Sequence, residues 1–308
     1  MSNHNHPSPS HEVTHHRGGT PMRVFRFDSM GDMARTAEAV CNDWHREKVN
    51  NDRSWHGGCS WADALQHANV GTTDAGADVA ALMEKLPAMP ESIGQRWDNA
   101  VAGQYPDVAR FVAGHPDAMR ARRHVADTHN PLHIIVDPIS SSGINAGKLK
   151  QRGAAILAVA SAMSAVRPVT LSVVSMLQLG DYGVQAPKVS LVFRVCSSPL
   201  DMSLAAAALQ CQGVARGLMH NASRVLGGKP TCGLLTWAWD VLPLPSEDGT
   251  NNSSEHAALM RQCLEVPDGE PALCIPAAHL DHPSISTPEQ WVADMLALYA
   301  PGGELAAA

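Results

Sequence analysis

The stretch Pro131-Leu-His-Ile-Ile-Val-Asp137-Pro-Ile-Ser-Ser-Ser142 decides the fold of this chain. Its first part, Leu132–Val136, is a short and nearly continuous apolar run between a proline and an aspartate, which is typical of a central strand buried on both faces. The alanine-rich, apolar segment 146–166 that follows predicts a buried helix. A buried strand followed by a buried helix indicates the start of an α/β domain.

The elements expected after this helix continue the alternation. We predict strands at 169–177, 189–196, 233–240 and 272–275, and helices at about 201–226, 254–264 and 288–299. This order predicts a three-layer α/β sandwich over residues 132–300. Its sheet should be mostly parallel, with one antiparallel edge strand at 189–196.

The other segments are expected to be organised differently. Residues 1–20 hold five of the sixteen histidines and no apolar periodicity, so we expect a disordered tail. The tail contains His11-Glu-Val-Thr-His15, which matches a zinc-protease pattern, but prolines and glycines flank it and adventitious metal binding is the simpler interpretation. Residues 21–131 predict one strand and then helices that cover the α/β domain, and residues 301–308 predict a flexible C-terminal tail.

Composition restricts the class of protein. The 308 residues carry a net charge of -7, only 5% are aromatic, and the seven cysteines include no Cys-x-x-Cys pair, which favours reduced thiols. No segment is apolar for long enough to cross a membrane, and the N-terminus lacks the apolar core of a signal peptide. We therefore expect a soluble cytoplasmic protein without a membrane partner, in the host cytoplasm if the chain is viral.

The end of the first predicted strand resembles the von Willebrand factor A-like fold, whose Asp-x-Ser-x-Ser motif, a later threonine and a later aspartate coordinate Mg²⁺. Asp137 and Ser141 match the first and last motif positions, Ile139 replaces the middle serine, and Asp240 follows a later predicted strand. The resemblance implies a degenerate Mg²⁺ site formed by Asp137, Ser140, Ser141 and Asp240, without a threonine counterpart. The alternative is that Asp137 caps a helix or closes the loop by hydrogen bonds.

A second resemblance concerns segment 107–119, the basic run after it, and Arg152-Gly-Ala-Ala-Ile-Leu157. These stretches look like uncharacterised proteins of tailed bacteriophages, and related von Willebrand-like chains are often encoded beside MoxR-type AAA+ ATPases. No nucleophile elbow, phosphate loop or dinucleotide motif is present, so we predict no catalytic residue. The resemblance implies a non-enzymatic adaptor that docks a protein partner, such as an AAA+ ATPase, at the edge formed by 137–143 and Asp240.

Basic residues are concentrated around the predicted central strand. Segment 110–152 contains seven basic and three acidic residues, a net charge of +4, while the rest of the chain carries -11. Single-stranded nucleic-acid binding, by a cofactor of viral transcription or replication, is therefore the alternative function. The residues expected to contact phosphates are Arg120, Arg122, Arg123, Lys148, Lys150 and Arg152. Only Tyr105 and Phe111 lie nearby for base stacking, and a solvated charged surface is the simpler interpretation.

Overall fold

The computed structural model describes residues 11–17, 20–72, 75–85, 95–101, 105–124, 130–140, 143–165, 167–179, 188–228, 236–237, 255–278 and 282–299. Within these ranges the strands are β1 (His11–Arg17), β2 (Thr20–Phe27), β3 (Gln95–Ala100), β4 (Tyr105–Pro106), β5 (Met119–His124), β6 (Leu132–Val136), β7 (Val169–Leu179), β8 (Lys188–Ser197), β9 (Thr236–Trp237) and β10 (Ala272–Ile275). The helices are α1 (Met30–Val40), α2 (Asp43–Asn51), α3 (Trp61–Val70), α4 (Ala75–Lys85), α5 (Val108–Val112), α6 (Ala146–Ser164), α7 (Met202–Gln210), α8 (His220–Leu226), α9 (Glu255–Cys263), α10 (Pro283–Ser286) and α11 (Pro288–Tyr299). A π-helical segment, Gly213–Met219, joins α7 to α8. Among the described helices, none has the length and hydropathy needed to cross a membrane.

The large sheet has β6 in its interior, in the order β1-β2-β8-β7-β6-β10, with β9 paired to the end of β7. Strand β6 is parallel to β7 and β10, and β2 is parallel to β8, while β7 and β8 are antiparallel. The predicted strands at 169–177 and 189–196 and the opposite direction of the second are confirmed. The predicted edge position of β8 is wrong, because β2 pairs with it and β1 pairs with β2.

Helices cover both faces of this sheet, so the predicted α/β sandwich is confirmed at the level of its layers. Successive strand residues point to opposite faces. Ile134 belongs to a large apolar cluster with residues of α1, α3, α6, α7 and α11, whereas its neighbour Ile135 belongs to a smaller cluster with Ala257 and Met260 of α9. Strand β6 is therefore buried on both faces, as its apolar run predicts.

The N-terminal region belongs to the same sheet and the same core. Strand β2 lies between β1 and β8, and Met33 of α1 and Ala64 of α3 are fully buried in the large cluster that also contains Ile134. The boundary expected at residue 131 therefore does not separate two hydrophobic cores. The expected N-terminal tail also contains a strand, because His11–Arg17 pairs with Thr20–Arg26.

Small residues allow α6 and α7, which both contribute to the large apolar cluster, to lie close together. Alanines occupy positions 205–208 of α7, where they are fully buried, and α7 packs against α6. A Cβ atom added to Gly153 of α6 would lie 2.6 Å from the backbone oxygen of Leu209. The alanine-rich composition thus corresponds to tightly packed helix pairs rather than to a stacking or sugar-binding surface.

Candidate functional site

Asp137, the first predicted Mg²⁺ ligand, lies at the carboxyl end of β6 and is completely buried. Its Oδ1 accepts a hydrogen bond from the Ile139 backbone N–H at 2.9 Å, and its Oδ2 accepts one from the Met176 N–H at 3.3 Å. Burial raises the pKa of this carboxyl to about 7. Asp137 therefore closes the loop after β6 by hydrogen bonds, the alternative that the sequence left open.

Two arginines also donate hydrogen bonds to the loop after β6 and to the segments next to it. Arg152 of α6 is buried and donates to the backbone oxygens of Asp137 and Pro276. Arg216 of the π-helical segment donates to the Ser140 Oγ at 2.9 Å and to the Ile144 oxygen at 2.7 Å. Burial lowers the pKa of each guanidinium to about 10, so both remain charged at neutral pH.

These contacts leave the described part of the predicted Mg²⁺ site unsuited to a cation. The Asp137 carboxylate accepts backbone N–H groups, the Ser140 hydroxyl accepts from Arg216, and Arg152 adds a second positive charge nearby. A hard cation requires several free oxygen ligands and no adjacent cations. Ser141 and Asp240, the other two predicted ligands, lie outside the described residues.

The six predicted phosphate-contacting residues do not form one surface. Arg120, Arg122 and Arg123 are in β5, Lys148 and Lys150 are exposed on α6, and Arg152 is buried. The Lys150 Nζ lies 2.9 Å from the Asp78 carboxylate, in an exposed ion pair. Burial removes Arg152 from any phosphate-binding surface, whereas Lys148 and Lys150 stay exposed to solvent.

Strand pairing brings aromatic positions beside the arginines of β5. In the antiparallel sheet β3-β5-β4, Trp97 is opposite Arg122 and Tyr105 is opposite Arg120. Directly opposite residues of an antiparallel pair share a face of the sheet, and so do residues two apart on one strand. These four positions therefore belong to one face. The sequence did not reveal that Trp97 lies next to the basic strand.

Helix α5 exposes three large apolar side chains, Val108, Phe111 and Val112, which we call the α5 patch. Their exposed fractions are 67%, 70% and 80%. The spacing i, i+3, i+4 places them on one side of the helix. A backbone hydrogen bond of 2.7 Å from the Asp107 N–H to the Ala118 oxygen ties the start of α5 to the residue before β5. The patch is thus an apolar surface held beside a basic strand.

The polar side chains Cys59, His67 and Cys211 form a third feature, the cysteine–histidine cluster. The Cys59 Sγ lies 3.4 Å from the Cys211 Sγ and 4.0 Å from the His67 Nδ1. The distance from the Cys211 Sγ to the His67 Nδ1 is 3.2 Å. Cys211 is buried, while Cys59 and His67 are partly exposed. The hydrogen bond between the sulfurs lowers the pKa of Cys59 to about 6 and, together with burial, raises that of Cys211. The contact between the two sulfurs therefore favours the thiolate form at Cys59 and the thiol form at Cys211.

The local structure of two segments positions this cluster. The Ser60 side chain caps α3, so Cys59 directly precedes the helix and His67 lies two turns further along it. The predicted helix at 201–226 is interrupted at Cys211, whose backbone is extended between α7 and the π-helical segment. A Cβ atom on Gly213 would lie 2.6 Å from the Cys59 Cβ, so the two segments meet only because this residue is a glycine.

The sequence holds little signal for the cluster. Cys59 and Cys211 are 152 residues apart, and no Cys-x-x-Cys or His-x-x-x-His spacing marks them as ligands. The one local sign is a cysteine placed before a capped helix with a histidine two turns later, which is common without a metal. Tertiary packing of α3 on the π-helical segment creates the cluster.

The fold and these features define an α/β sandwich protein with an arginine-closed loop, a basic three-stranded sheet and a partly buried cysteine–histidine cluster. The chain belongs to the family described as "Domain of unknown function (DUF7192)", whose profile matches residues 12–240. No curated protein and no solved structure matches the chain significantly. The matched range contains the α5 patch and the cysteine–histidine cluster, while α9 and β10 lie beyond it.

Proposed function

We propose that this chain is a non-enzymatic binding protein that docks a protein partner through the α5 patch. The observation that supports the proposal is the exposure of Val108, Phe111 and Val112 on one side of a short helix. Of the six large apolar side chains exposed in the described residues, these three and Val101 lie within twelve residues of one another. Clustered exposed apolar residues are typical of interaction sites, whereas single ones are common everywhere.

The surroundings of the patch indicate the chemistry of the partner. Segment 95–124 contains five arginines and three aspartates, so it is basic in an acidic chain. The Arg110 Nη2 donates to both Asp117 oxygens at 2.8 and 2.9 Å, which fixes the loop after α5. We therefore expect a partner whose apolar groove is bordered by acidic side chains. Asp137, at the edge where docking was first expected, is buried and has no surface for a partner.

We also propose a von Willebrand A-like fold and an ATPase partner for this chain. The sheet order β8-β7-β6-β10, with β8 antiparallel to β7, supports a von Willebrand A-like arrangement extended by β2 and β1. The phage origin and the adaptor role are predictions that rest on the resemblance of the sequence motifs. A MoxR-type AAA+ ATPase is accordingly the first purified candidate partner.

Photo-crosslinking tests the docking surface directly. A photoreactive amino acid placed at position 111 should capture one partner in the cells that make the protein, and mass spectrometry should identify it. With that partner purified, Phe111→Ser should weaken binding about 30-fold, because truncation of a central apolar contact costs about 2 kcal/mol.

Val70 provides the matched control, since it is also exposed but lies on α3. Val70→Ser should leave the affinity unchanged, and a photoreactive group at position 70 should not capture the partner. Equal capture at both positions, or binding that is insensitive to Phe111→Ser, would show that the α5 patch is not the docking surface.

A second candidate function, single-stranded nucleic-acid binding, is favoured by the strand register of the three-stranded sheet β3-β5-β4. Arg120, Arg122, Trp97 and Tyr105 occupy one face, which combines phosphate-binding and base-stacking residue types. The aromatic position that the sequence analysis missed is thus supplied by strand pairing. This function needs neither the buried Arg152 nor the lysines of α6.

Fluorescence anisotropy with labelled single-stranded DNA at low salt separates this candidate from protein docking. Trp97→Ala should weaken binding by about 5- to 100-fold, the usual range for loss of one stacked base. Arg120→Ala with Arg122→Ala and Arg123→Ala should also flatten the salt dependence. Lys148→Ala is the control and should change neither. Binding that survives both sets of substitutions would reject this function.

A further inference from the structure

We propose that Cys59, His67 and Cys211 bind one zinc ion. This inference is independent of the docking surface, because the cysteine–histidine cluster lies between α3 and the π-helical segment rather than at α5. Two thiolates and one imidazole form a donor set that selects zinc over hard cations such as Mg²⁺. The cluster joins segments 144 and 152 residues apart, so it is a product of the fold and not of a local motif.

The distances between the donor atoms agree with tetrahedral coordination. Zinc–sulfur bonds of about 2.3 Å and a zinc–nitrogen bond of about 2.0 Å at tetrahedral angles place two sulfurs about 3.8 Å apart, and a sulfur and a nitrogen about 3.6 Å apart. The observed separations are 3.4 Å between the sulfurs and 3.2 and 4.0 Å from the sulfurs to the His67 Nδ1. Small side-chain rotations are enough to bring all three atoms into a zinc coordination sphere.

The charge balance also favours zinc at this partly buried cluster. Zinc binding requires both sulfurs to be deprotonated, and the two thiolates neutralise the two charges of the ion. His67 remains neutral, with its Nδ1 lone pair on the metal and its proton on Nε2. An uncompensated charge beside the buried Cys211 would be costly, whereas a neutral zinc dithiolate is not.

Three protein ligands leave the fourth tetrahedral position to an exchangeable ligand. Sites with this ligand count hold water or a small molecule there, whereas closed structural sites use four protein ligands. Cys59 and His67 are partly exposed, so solvent has access to the cluster from their side. The zinc would thus both fasten α3 to the end of α7 and present one open coordination position.

Cobalt substitution of the full-length chain tests the site. After the protein is stripped with EDTA and kept reduced, Co²⁺ should give thiolate-to-cobalt charge-transfer bands that saturate at one equivalent and disappear when Zn²⁺ is added. The histidines of the N-terminal segment contribute no thiolate band, so this readout separates the cluster from adventitious imidazole binding.

Single substitutions assign the ligands. Cys59→Ser and Cys211→Ser should each weaken metal binding more than about 100-fold, since even loss of an outer hydrogen-bond partner costs 10- to 100-fold. His67→Gln should weaken binding while keeping a thiolate band. Cys196→Ser, which changes a partly exposed cysteine outside the cluster, should behave like the wild type.

Three results would overturn the proposal. The first is the absence of a thiolate band in the reduced wild-type chain, which needs no variant to fold. The second is a band that persists when Cys59 and Cys211 are both serine. The third is a Cys59–Cys211 disulfide in protein purified with reductant, because the thiols would then be consumed without a metal.

Discussion

At the scale of single residues, Asp137 shows how burial changes the role of a carboxylate. Its position after β6 suggested a metal ligand, yet its two oxygens accept the Ile139 and Met176 backbone N–H groups, and Arg152 lies next to it. Its burial is compensated by hydrogen bonds and by a neighbouring charge rather than by a cation. The role of Asp137 is therefore to shape the loop between β6 and α6.

The raised pKa of Asp137 predicts a characteristic pH dependence. Because the folded-state pKa of about 7 exceeds the unfolded value, the stabilisation present below about pH 4 is lost as the pH rises through 7. Asp137→Asn removes this contribution and loses the bond from the Met176 N–H. Urea unfolding should show the variant less stable by about 1–3 kcal/mol at pH 5, with the difference shrinking or reversing at pH 8.

Asp117→Asn is the matched control for this experiment. Asp117 is partly exposed, and its hydrogen bond from Arg110 lowers the pKa of the carboxyl below its ordinary value. Its contribution changes only at more acidic pH, so this variant should track the wild type between pH 5 and 8. A stability difference between wild type and Asp137→Asn that is constant with pH would contradict the raised pKa of Asp137.

At the scale of elements, close helix packing explains the abundance of alanine. Residues 153–160 of helix α6 are all buried, and fully buried alanines of α7 pack against the helix. At Gly153 the neighbouring group is the Leu209 backbone, which has no freedom to move aside. The separation of α6 and α7 therefore depends on the absence of a side chain at that position.

Gly153→Ala should destabilise the protein by about 1–3 kcal/mol in urea unfolding, because overpacking outweighs the gain in helix propensity. Gly147→Ala, in the same helix, is the control. Its added Cβ would meet only the Asn145 side chain at 3.4 Å, so this change should be neutral or stabilising by up to about 1 kcal/mol. Equal stabilisation by both substitutions would mean that α6 and α7 lie further apart.

The exposed phenylalanine of α5 should contribute to binding but not to folding. Phe111→Ser should change the free energy of unfolding by less than about 0.5 kcal/mol. Phe193→Ala should cost about 3–5 kcal/mol, because Phe193 of β8 is buried in the large cluster. Urea unfolding of both variants makes the comparison. A large loss of stability in Phe111→Ser would show that the helix is packed against the protein and is not a free docking surface.

At the scale of the whole molecule, the N-terminal strand and helices complete the core of the α/β domain. Strand β2 is hydrogen-bonded to β8 along its length, and α1 and α3 bury residues in the cluster shared with α6, α7 and α11. Separation of these parts would expose one face of the sheet to water. We therefore expect one cooperative unit of folding.

Thiol labelling across a urea series measures this cooperativity. Burial raises the pKa of Cys41 and of Cys274 to about 12 in each case, so both should react only on unfolding. Their labelling midpoints, read by mass spectrometry, should coincide. In protein stripped of metal with EDTA, Cys59 is partly exposed and should react before unfolding, which shows that the reagent is active. Labelling of Cys41 at a lower urea concentration than Cys274 would indicate two independent units.

Elements that depend on neighbouring residues were predictable from the sequence, whereas contacts between distant segments were not. Strand β6, helix α6, the pair β7 and β8, and helix α11 were predicted within a few residues, because periodicity and end residues depend on neighbours along the chain. The helix expected at 201–226 was predicted without its interruption at Cys211, which belongs to the contact with Cys59 and Gly213. The edge position of β8 was wrong because nothing near it in sequence indicates that β2 pairs with it.

The sequence by itself therefore determined the local elements, the buried central strand and the α/β class, since each follows from the order of apolar and polar residues within a few positions. Only the tertiary structure decided that Arg152 donates to the Asp137 backbone oxygen, that Trp97 is opposite Arg122, and that Cys59 and His67 meet Cys211. These are contacts between segments up to 152 residues apart. They depend on how sheets and helices pack, and packing is a property of the whole chain rather than of any stretch of it.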